Sequence, residues 1–180
     1  MDEFSYGLKI PKDRIAVVIG KEGSLKKELE EQSDAKINID SEEGDVLVTG
    51  KDSLKLFVLR DIIRAIGRGF NPEIAMQLLK PDYVFELINI LDYVKNKEHL
   101  PRIRGRVIGK NGKSRETIEE LTETKIVIYG KTIGIIGFID NVASSRKAVE
   151  DLLNGALHKT IYKVLEKERH TKRAMSGFQF

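Results

Sequence analysis

The chain repeats itself. Val18-Ile19-Gly20-Lys21-Glu22-Gly23 lies over Val107-Ile108-Gly109-Lys110-Asn111-Gly112 at an offset of 89 residues, and the match continues without a gap. Glu30-Glu31 meets Glu119-Glu120, and Lys36-Ile37-Asn38-Ile39 meets Lys125-Ile126-Val127-Ile128. Ten of the 22 positions from 18 to 39 are identical, where average residue usage gives about one or two by chance. A duplication of this kind constrains the fold more than any propensity, because whatever one unit of about 90 residues builds is built twice.

Local signals give the same element order in both copies. Residues 6–10 read as a short strand, 12–19 as a short helix carrying Ile15, Val18 and Ile19, and 20–23 as a tight loop. Ser24 is placed to cap a helix running to about Ser33, with Leu25 and Leu29 on one face. Ala35, Ile37 and Ile39 alternate with Lys36, Asn38 and Asp40, the pattern of a half-buried strand. Residues 42–45 turn the chain into a second strand at 46–49, and a long helix at 54–66 is stopped by Gly67 and Gly69. The order is β-α-α-β-β-α.

In the second copy the first strand reads at 84–91, followed by an inserted lysine-rich connection at 92–100. Helices follow at 102–108 and 114–123, then a hairpin of 125–129 with 132–136 that turns at Gly130. Residues 141 to about 169 read as a long terminal helix in which Gly155 allows a break, and 171–180, without periodicity, are expected to be mobile. Residues 71–82 read as a helical connector bounded by Pro72 and Pro81. The expected domains are 1–75 and 76–180, the second beginning with that connector.

Charge separates the halves. Residues 1–100 hold 15 Lys+Arg against 19 Asp+Glu, a net of −4, and residues 101–180 hold 16 against 9, a net of +7. The second half therefore carries either a polyanion-binding surface or ordinary solvated charge. No cysteine is present, which excludes disulfides, thiolate metal sites and a cysteine nucleophile. The N-terminal stretch MDEFSYGLKIPKD has no apolar core of a signal peptide, and no apolar run approaches the roughly 20 residues of a membrane span. A cytoplasmic protein that does not engage membranes is expected.

Catalytic chemistry finds no foothold. Gly109 to Ser114 ends like a Walker A loop, but the glycine required five residues before Gly112 is Val107. His99, His158 and His170 are scattered, and adjacent carboxylates such as Glu119-Glu120 diverge on a helix instead of forming an acid/base couple. No enzyme activity, cofactor or metal site is expected.

A G-x-x-G between two helices suits a different task. The glycines let the backbone turn sharply and approach another molecule closely. The amides at the start of the second helix favour phosphate, and a loop lysine adds charge. Beside the loop, the first helix and the edge strand form an apolar groove that accepts unstacked bases. GRVIGKNGKSRETIEELTETKIVI and AVVIGKEGSLKKELEEQSDAKINI resemble type I KH domains, in which the GXXG loop grips the backbone of about four nucleotides. Two such units joined through AIGRGFNPEIAMQLL, with the core RIRGRVIGKNGKSRETIEELT and a basic C-terminal helix, resemble the archaeal and eukaryotic partner-of-Nob family of small-subunit ribosome assembly factors. The short length is closer to the archaeal members.

The resemblance implies an α+β architecture of two type I KH folds, each a three-stranded sheet backed by helices, packed in tandem. It implies a non-catalytic, single-stranded RNA-binding protein of the pre-ribosomal particle. Its RNA would be the 3′ end region of small-subunit rRNA, and its partner a processing endonuclease that cuts there. A monomer is expected. The competing reading is a general KH protein of mRNA regulation or of an RNA-degrading complex, the latter disfavoured because no five-strand run for an S1-type barrel exists.

On this reading the RNA-binding residues of the second unit are the loop Gly109, Lys110, Asn111 and Gly112, with Gly105, Arg106, Ile108, Lys113 and Arg115 flanking it. Arg102 and Arg104 precede the loop, and Lys125, Ile126 and Ile128 mark the edge strand. Val107, Ile108, Ile126 and Ile128 are available for the groove walls or for the core beneath. The first unit offers Gly20, Lys21, Glu22 and Gly23. A carboxylate about 4 Å from a phosphate repels it by on the order of 1 kcal/mol. The first loop is therefore expected to bind RNA more weakly, leaving its unit to hold the second unit or to meet a protein. Lys159, Lys163 and Lys167 recur every four residues, either touching RNA or simply solvated. Glu116, Glu119, Glu120 and Glu123 read as solubilising charge.

Overall fold

Alternation and β-branching build the sheets. In the computed structural model, which describes residues 3–176, the first copy forms β1 (Phe4–Lys9), β2 (Ala35–Ile39) and β3 (Asp45–Gly50) in the antiparallel order β1-β3-β2. The second forms β4 (Tyr83–Asn89), β5 (Lys125–Tyr129) and β6 (Thr132–Phe138) in the order β4-β6-β5. Ile37 stands opposite Val48 and Ile126 opposite Ile135, and all four are buried. The chain thus has two three-stranded sheets with β2 and β5 at equivalent edges, the type I KH topology expected.

Helices cover one face of each sheet. The first unit uses α1 (Lys12–Ile19), α2 (Ser24–Ser33) and α3 (Ser53–Gly67), which bury Val18, Leu29, Leu56, Leu59 and Ile62. The second uses α5 (Leu100–Ile108), α6 (Lys113–Thr122) and α7 (Ile139–Leu153), which bury Val107, Ile118, Val149 and Leu152. Each such side chain contributes roughly 1.5–3 kcal/mol by leaving water. Asp52 starts α3 by accepting hydrogen bonds from the Leu54 and Lys55 amides at 3.0 and 3.1 Å.

Two arginines, one helical turn apart in the repeat, make equivalent contacts to matched carbonyls. Arg14 donates from Nε and Nη2 to the carbonyls of Ile66 and Phe70, both at 2.9 Å. Arg106 donates in the same way to Leu152 at 3.0 Å and Ala156 at 2.5 Å. Ile66 and Leu152 lie in the last turns of α3 and α7, and Phe70 and Ala156 three residues beyond the ends of those helices, where the negative end of the helix favours a cation. Arg60 and Arg146 are both the eighth residue of their 15-residue helices. Arg60 lies over the rings of Phe57 and Tyr6, 4.2 and 5.3 Å from their centroids. Arg146 instead bridges the carboxylates of Glu86 and Glu150. Partial desolvation works against its charge, but Glu150 and Glu86 outweigh that and push the guanidinium pKa up.

Three expectations need correction, and the break allowed at Gly155 is present. The connector does not open the second unit. Its helix α4 (Pro72–Ala75) packs on α3, with Ala75 and Leu78 buried, so the units divide between Pro81 and Asp82 instead of between 75 and 76. The terminal helix is two helices, α7 and α8 (His158–Ser176), because Gly155 adopts a φ of +100° that ends the first. Helix α8 also takes in 171–176, held where Lys172 Nζ donates to Asn141 Oδ1 at 3.0 Å, while 177–180 lie outside the described residues. Ser24 does not cap α2: the capping position is Gly23, and no side chain supplies a cap bond.

Candidate nucleic-acid interface

The two loops share one backbone. Gly20 and Gly109 have φ/ψ of 76°/175° and 74°/175°. Glu22 and Asn111 both sit at φ 54°, and Gly23 and Gly112 at φ 77°. A Cβ on Gly20 would lie 2.7 Å from Leu25 Cβ and 2.8 Å from its amide. On Gly109 it would lie 2.6 Å from both the Cβ and the amide of Ser114. The first glycine of each loop therefore fits only without a side chain, and the helix start is pressed against it. The second glycine meets open space in the first unit but is held left-handed in both.

No side chain caps α2 or α6, since the capping positions are glycines. The positive ends of these ten-residue helices face the loop without a side-chain acceptor. Lys110, Asn111 and Lys113 are exposed around the second loop, and Lys21 and Glu22 around the first. Asparagine tolerates the left-handed region better than glutamate does, so the second loop is the less strained of the pair. Arg115 is half-buried and ion-paired with Glu116 at 3.8 Å.

The edge strand supplies the opposite wall. Ile126 N–H donates to Glu119 Oε1 at 2.7 Å, and Ile37 N–H donates to Glu30 Oε1 at the same distance. An amide bonded to a helix carboxylate points away from the neighbouring strand. By antiparallel alternation the N–H and C=O of Ile128 face that same open edge. A donor and an acceptor side by side on an exposed strand can pair with the edge of one unpaired base. Glu30 and Glu119, read from the sequence as solubilising charge in the second copy, hold the two edge strands to their helices. The signal was their identity at the repeat offset.

The remaining expected residues divide. Gly105 is exposed, with no atom within 4 Å of where a Cβ would stand, so α5 presents a flat surface there. Ile108 and Ile128 are half-buried and available to the groove, and Lys125 and Arg102 are exposed. Arg104 Nη1 donates to Gly130 O at 3.3 Å, reaching from α5 to the hairpin turn. Val107 and Ile126 belong to the core, with relative exposures of 0 % and 1 %. Of the two places open to Val107 and Ile126, groove wall or core beneath, both side chains take the core, and Ile126 leaves only its main chain at the strand edge. Arg106 spends its guanidinium on the end of α7.

A half-open pocket of about 290 Å³ lies elsewhere, where the last turn of α6 meets α8 at Leu121, Leu165 and Arg169. It is at the opposite end of α6 from the loop and takes no part in the groove. Among the described residues no His/Cys/Asp/Glu cluster could hold a metal ion, and no helix is long and apolar enough to cross a membrane.

Comparison with known proteins agrees with this geometry. A KH domain model matches residues 5–63, and a model for the second KH domain of PNO1, a eukaryotic type KH-domain (KH-domain type I), matches residues 84–170. The KH domain-containing protein MJ0443 of Methanocaldococcus jannaschii is 49 % identical over 93 % of this chain and 75 % of its own length. The pre-rRNA-processing protein pno1 of Emericella nidulans is 36 % identical over 59 % of this chain, but the match spans only 43 % of that longer protein. Among solved structures, a chain of the a/eIF2alpha–aDim2p–rRNA complex from Pyrococcus horikoshii OT3 superposes with a TM-score of 0.87. It is 43 % identical and covers 94 % of this chain and 96 % of its own. With both KH units matched and relatives aligned across nearly the whole chain, this protein belongs to the partner-of-Nob family of tandem KH-domain proteins.

Proposed function

We propose that this chain binds a single-stranded segment at the 3′ end region of small-subunit rRNA during ribosome assembly, without catalysis, and keeps that segment presented to a processing endonuclease. The observation that carries the RNA-binding reading is the second unit's arrangement. An uncapped helix start and three exposed polar or basic side chains lie beside a strand edge whose Ile128 N–H and C=O are turned outward. Sugar–phosphate follows the loop, and bases lie edge-on to β5. Paired and stacked bases have no free Watson–Crick edge and cannot enter the groove, so it selects single strands. Phosphate contacts from Lys110 and Lys113 add affinity that weakens as salt rises.

The choice of ribosomal RNA draws on the relatives: one is named for pre-rRNA processing, and a homologous chain comes from a complex that contains rRNA. The test is a competition at several salt concentrations. The small-subunit rRNA 3′ strand is set against its own duplex and against an unrelated strand of equal length. The rRNA strand is expected to win both comparisons. A Lys110→Asp/Asn111→Asp variant, folded by circular dichroism, is expected to lose affinity by on the order of a hundredfold, since three units of charge are reversed or added at the phosphates. Equal binding of strand and duplex removes the groove mechanism. Preference for single strands without preference for the rRNA strand keeps RNA binding and discards the ribosomal target.

A further inference from the structure

We propose that α8 is a second phosphate-contacting surface, which carries a single RNA strand onward after it leaves the GXXG loop of the second unit. This rests on the RNA-binding reading above and extends it beyond the KH fold. Helix α8 is not part of the β-α-α-β-β-α order, and the first unit has no counterpart.

Helix α8 carries much of the chain's charge asymmetry. Residues 82–180 hold 18 basic and 13 acidic side chains, a net of +5. The 19 residues of α8 hold 6 and 2, a net of +4. What remains of the second unit is therefore close to neutral at +1. More than half of the +7 that marked residues 101–180 as a polyanion-binding region therefore lies on a helix that the groove does not use.

Its placement connects it to the groove. Helix α8 begins beside the loop: His158 Nε2 lies 2.7 Å from the carbonyl of Arg106, in the last turn of α5 before Gly109. It ends against the last turn of α6, where Leu165 and Arg169 face Leu121 across the pocket. Since α6 also starts at the loop, the two helices lead away from it in the same sense. Helix α8 extends this direction by about 28 Å at 1.5 Å per residue.

Its faces are sorted. Ile161 and Leu165 are buried, and at 100° per residue Lys159, Lys163 and Lys167 fall on the opposite side, where all three are exposed. None of the three ammonium groups has a hydrogen-bond or ion-pair partner among the described residues. Glu166 is the single acidic residue among the exposed positions of the helix. Four residues of helix advance about 6 Å, comparable to the step between successive phosphates of an extended strand. A protein partner would call for an aromatic or arginine anchor at the centre of such a face. This face offers lysines, which bind phosphate as point charges.

The experiment uses the full chain, a Lys159→Gln/Lys163→Gln/Lys167→Gln variant, and a Lys51→Gln/Lys55→Gln/Lys95→Gln control of equal charge loss. The probes are a six-nucleotide RNA from the small-subunit rRNA 3′ end, slightly longer than the about four nucleotides a KH loop grips, and the same RNA with eight uridines added at either end. Fluorescence anisotropy is read at three salt concentrations. The unaltered chain is expected to bind one of the extended RNAs about tenfold tighter than the short one, and the stripe variant to lose that gain while binding the short RNA normally. The slope of log affinity against log salt on the extended RNA should fall by about 2, at roughly 0.7 for each of three phosphates. The control should keep the gain. The proposal is overturned if the stripe variant keeps the gain, if the control loses it equally, or if extension brings no gain although the short RNA binds. Failure of every RNA to bind the unaltered chain removes the RNA reading itself, a different outcome from the other three.

Discussion

Gly20 and Gly109 differ by 2° in φ, and Glu22 and Asn111 adopt the same left-handed φ of 54°. The two loops nonetheless sit in different fields. Lys113 and Arg115 follow the second, and Ser24 and Lys26 follow the first, whose own tip carries a carboxylate. Backbone geometry at a phosphate-binding turn is set by two glycines and the helix they start. It survives Glu22 in place of Asn111 and a different residue at each of the six positions that follow the second glycine. Charge is set by the exposed side chains and diverges freely. The duplication has thus preserved a shape in both units while the chemistry displayed on that shape has separated.

The largest expected effect tests the shared shape. Gly20→Ala and Gly109→Ala each force a left-handed alanine and place its Cβ under 3 Å from a backbone amide. Strain and overlap together are expected to cost about 3 kcal/mol in the affected unit. Because two units need not unfold together, hydrogen exchange of the core amides reads each separately. Equal losses in the two units uphold the comparison. A loss confined to one unit would mean that the loops only look alike.

A second test separates support from recognition. Arg14 and Arg106 make the same pair of bonds to the end of the third helix of their units. Replacing either by Ala leaves two carbonyls without their cationic donor and is expected to cost about 2 kcal/mol. RNA affinity of the folded Arg106→Ala protein should stay within about twofold, since a guanidinium spent on α7 adds nothing to the phosphate term. A large loss of affinity at unchanged stability would return Arg106 to the RNA surface.

That clamp also shows where sequence reading stops. The repeat made the element order, both loops and the edge strands legible, because identity at a fixed offset marks backbone positions that cannot change. Arg106 escaped the same logic. At the repeat offset it aligns with Val17, and Arg14 aligns with Ile103, so the clamp moved one helical turn between copies while its acceptors stayed in place. An alignment registers the residue and not the bond. Ile126 and Ile128 are both apolar and both on β5, and only the packing of α6 and α7 decides that the first is core and the second half-exposed. The connector's place is illegible for a similar reason: Ala75 and Leu78 say that it is buried against something, and only the fold says that this is α3.

The smallest effect is the sharpest test of the charge difference. If one residue separates the loops, Glu22→Asn should carry the first towards the second. Two changes are expected, in different observables. Asparagine is the better occupant of φ 54°, so the first unit should gain a few tenths of a kcal/mol, read by hydrogen exchange. Removing a carboxylate about 4 Å from a bound phosphate relieves on the order of 1 kcal/mol of repulsion, or roughly a fivefold gain in affinity at that loop. The second loop must be silent for this to be visible, so the substitution belongs in the Lys110→Asp/Asn111→Asp background. There the remaining RNA affinity reports the first unit alone. The gain should shrink as salt rises, because both charges are exposed and screened beyond about 10 Å at 0.1 M. A gain in stability without a gain in affinity would mean that the first loop does not meet phosphate at all, and that its carboxylate was free to appear because no anion approaches it.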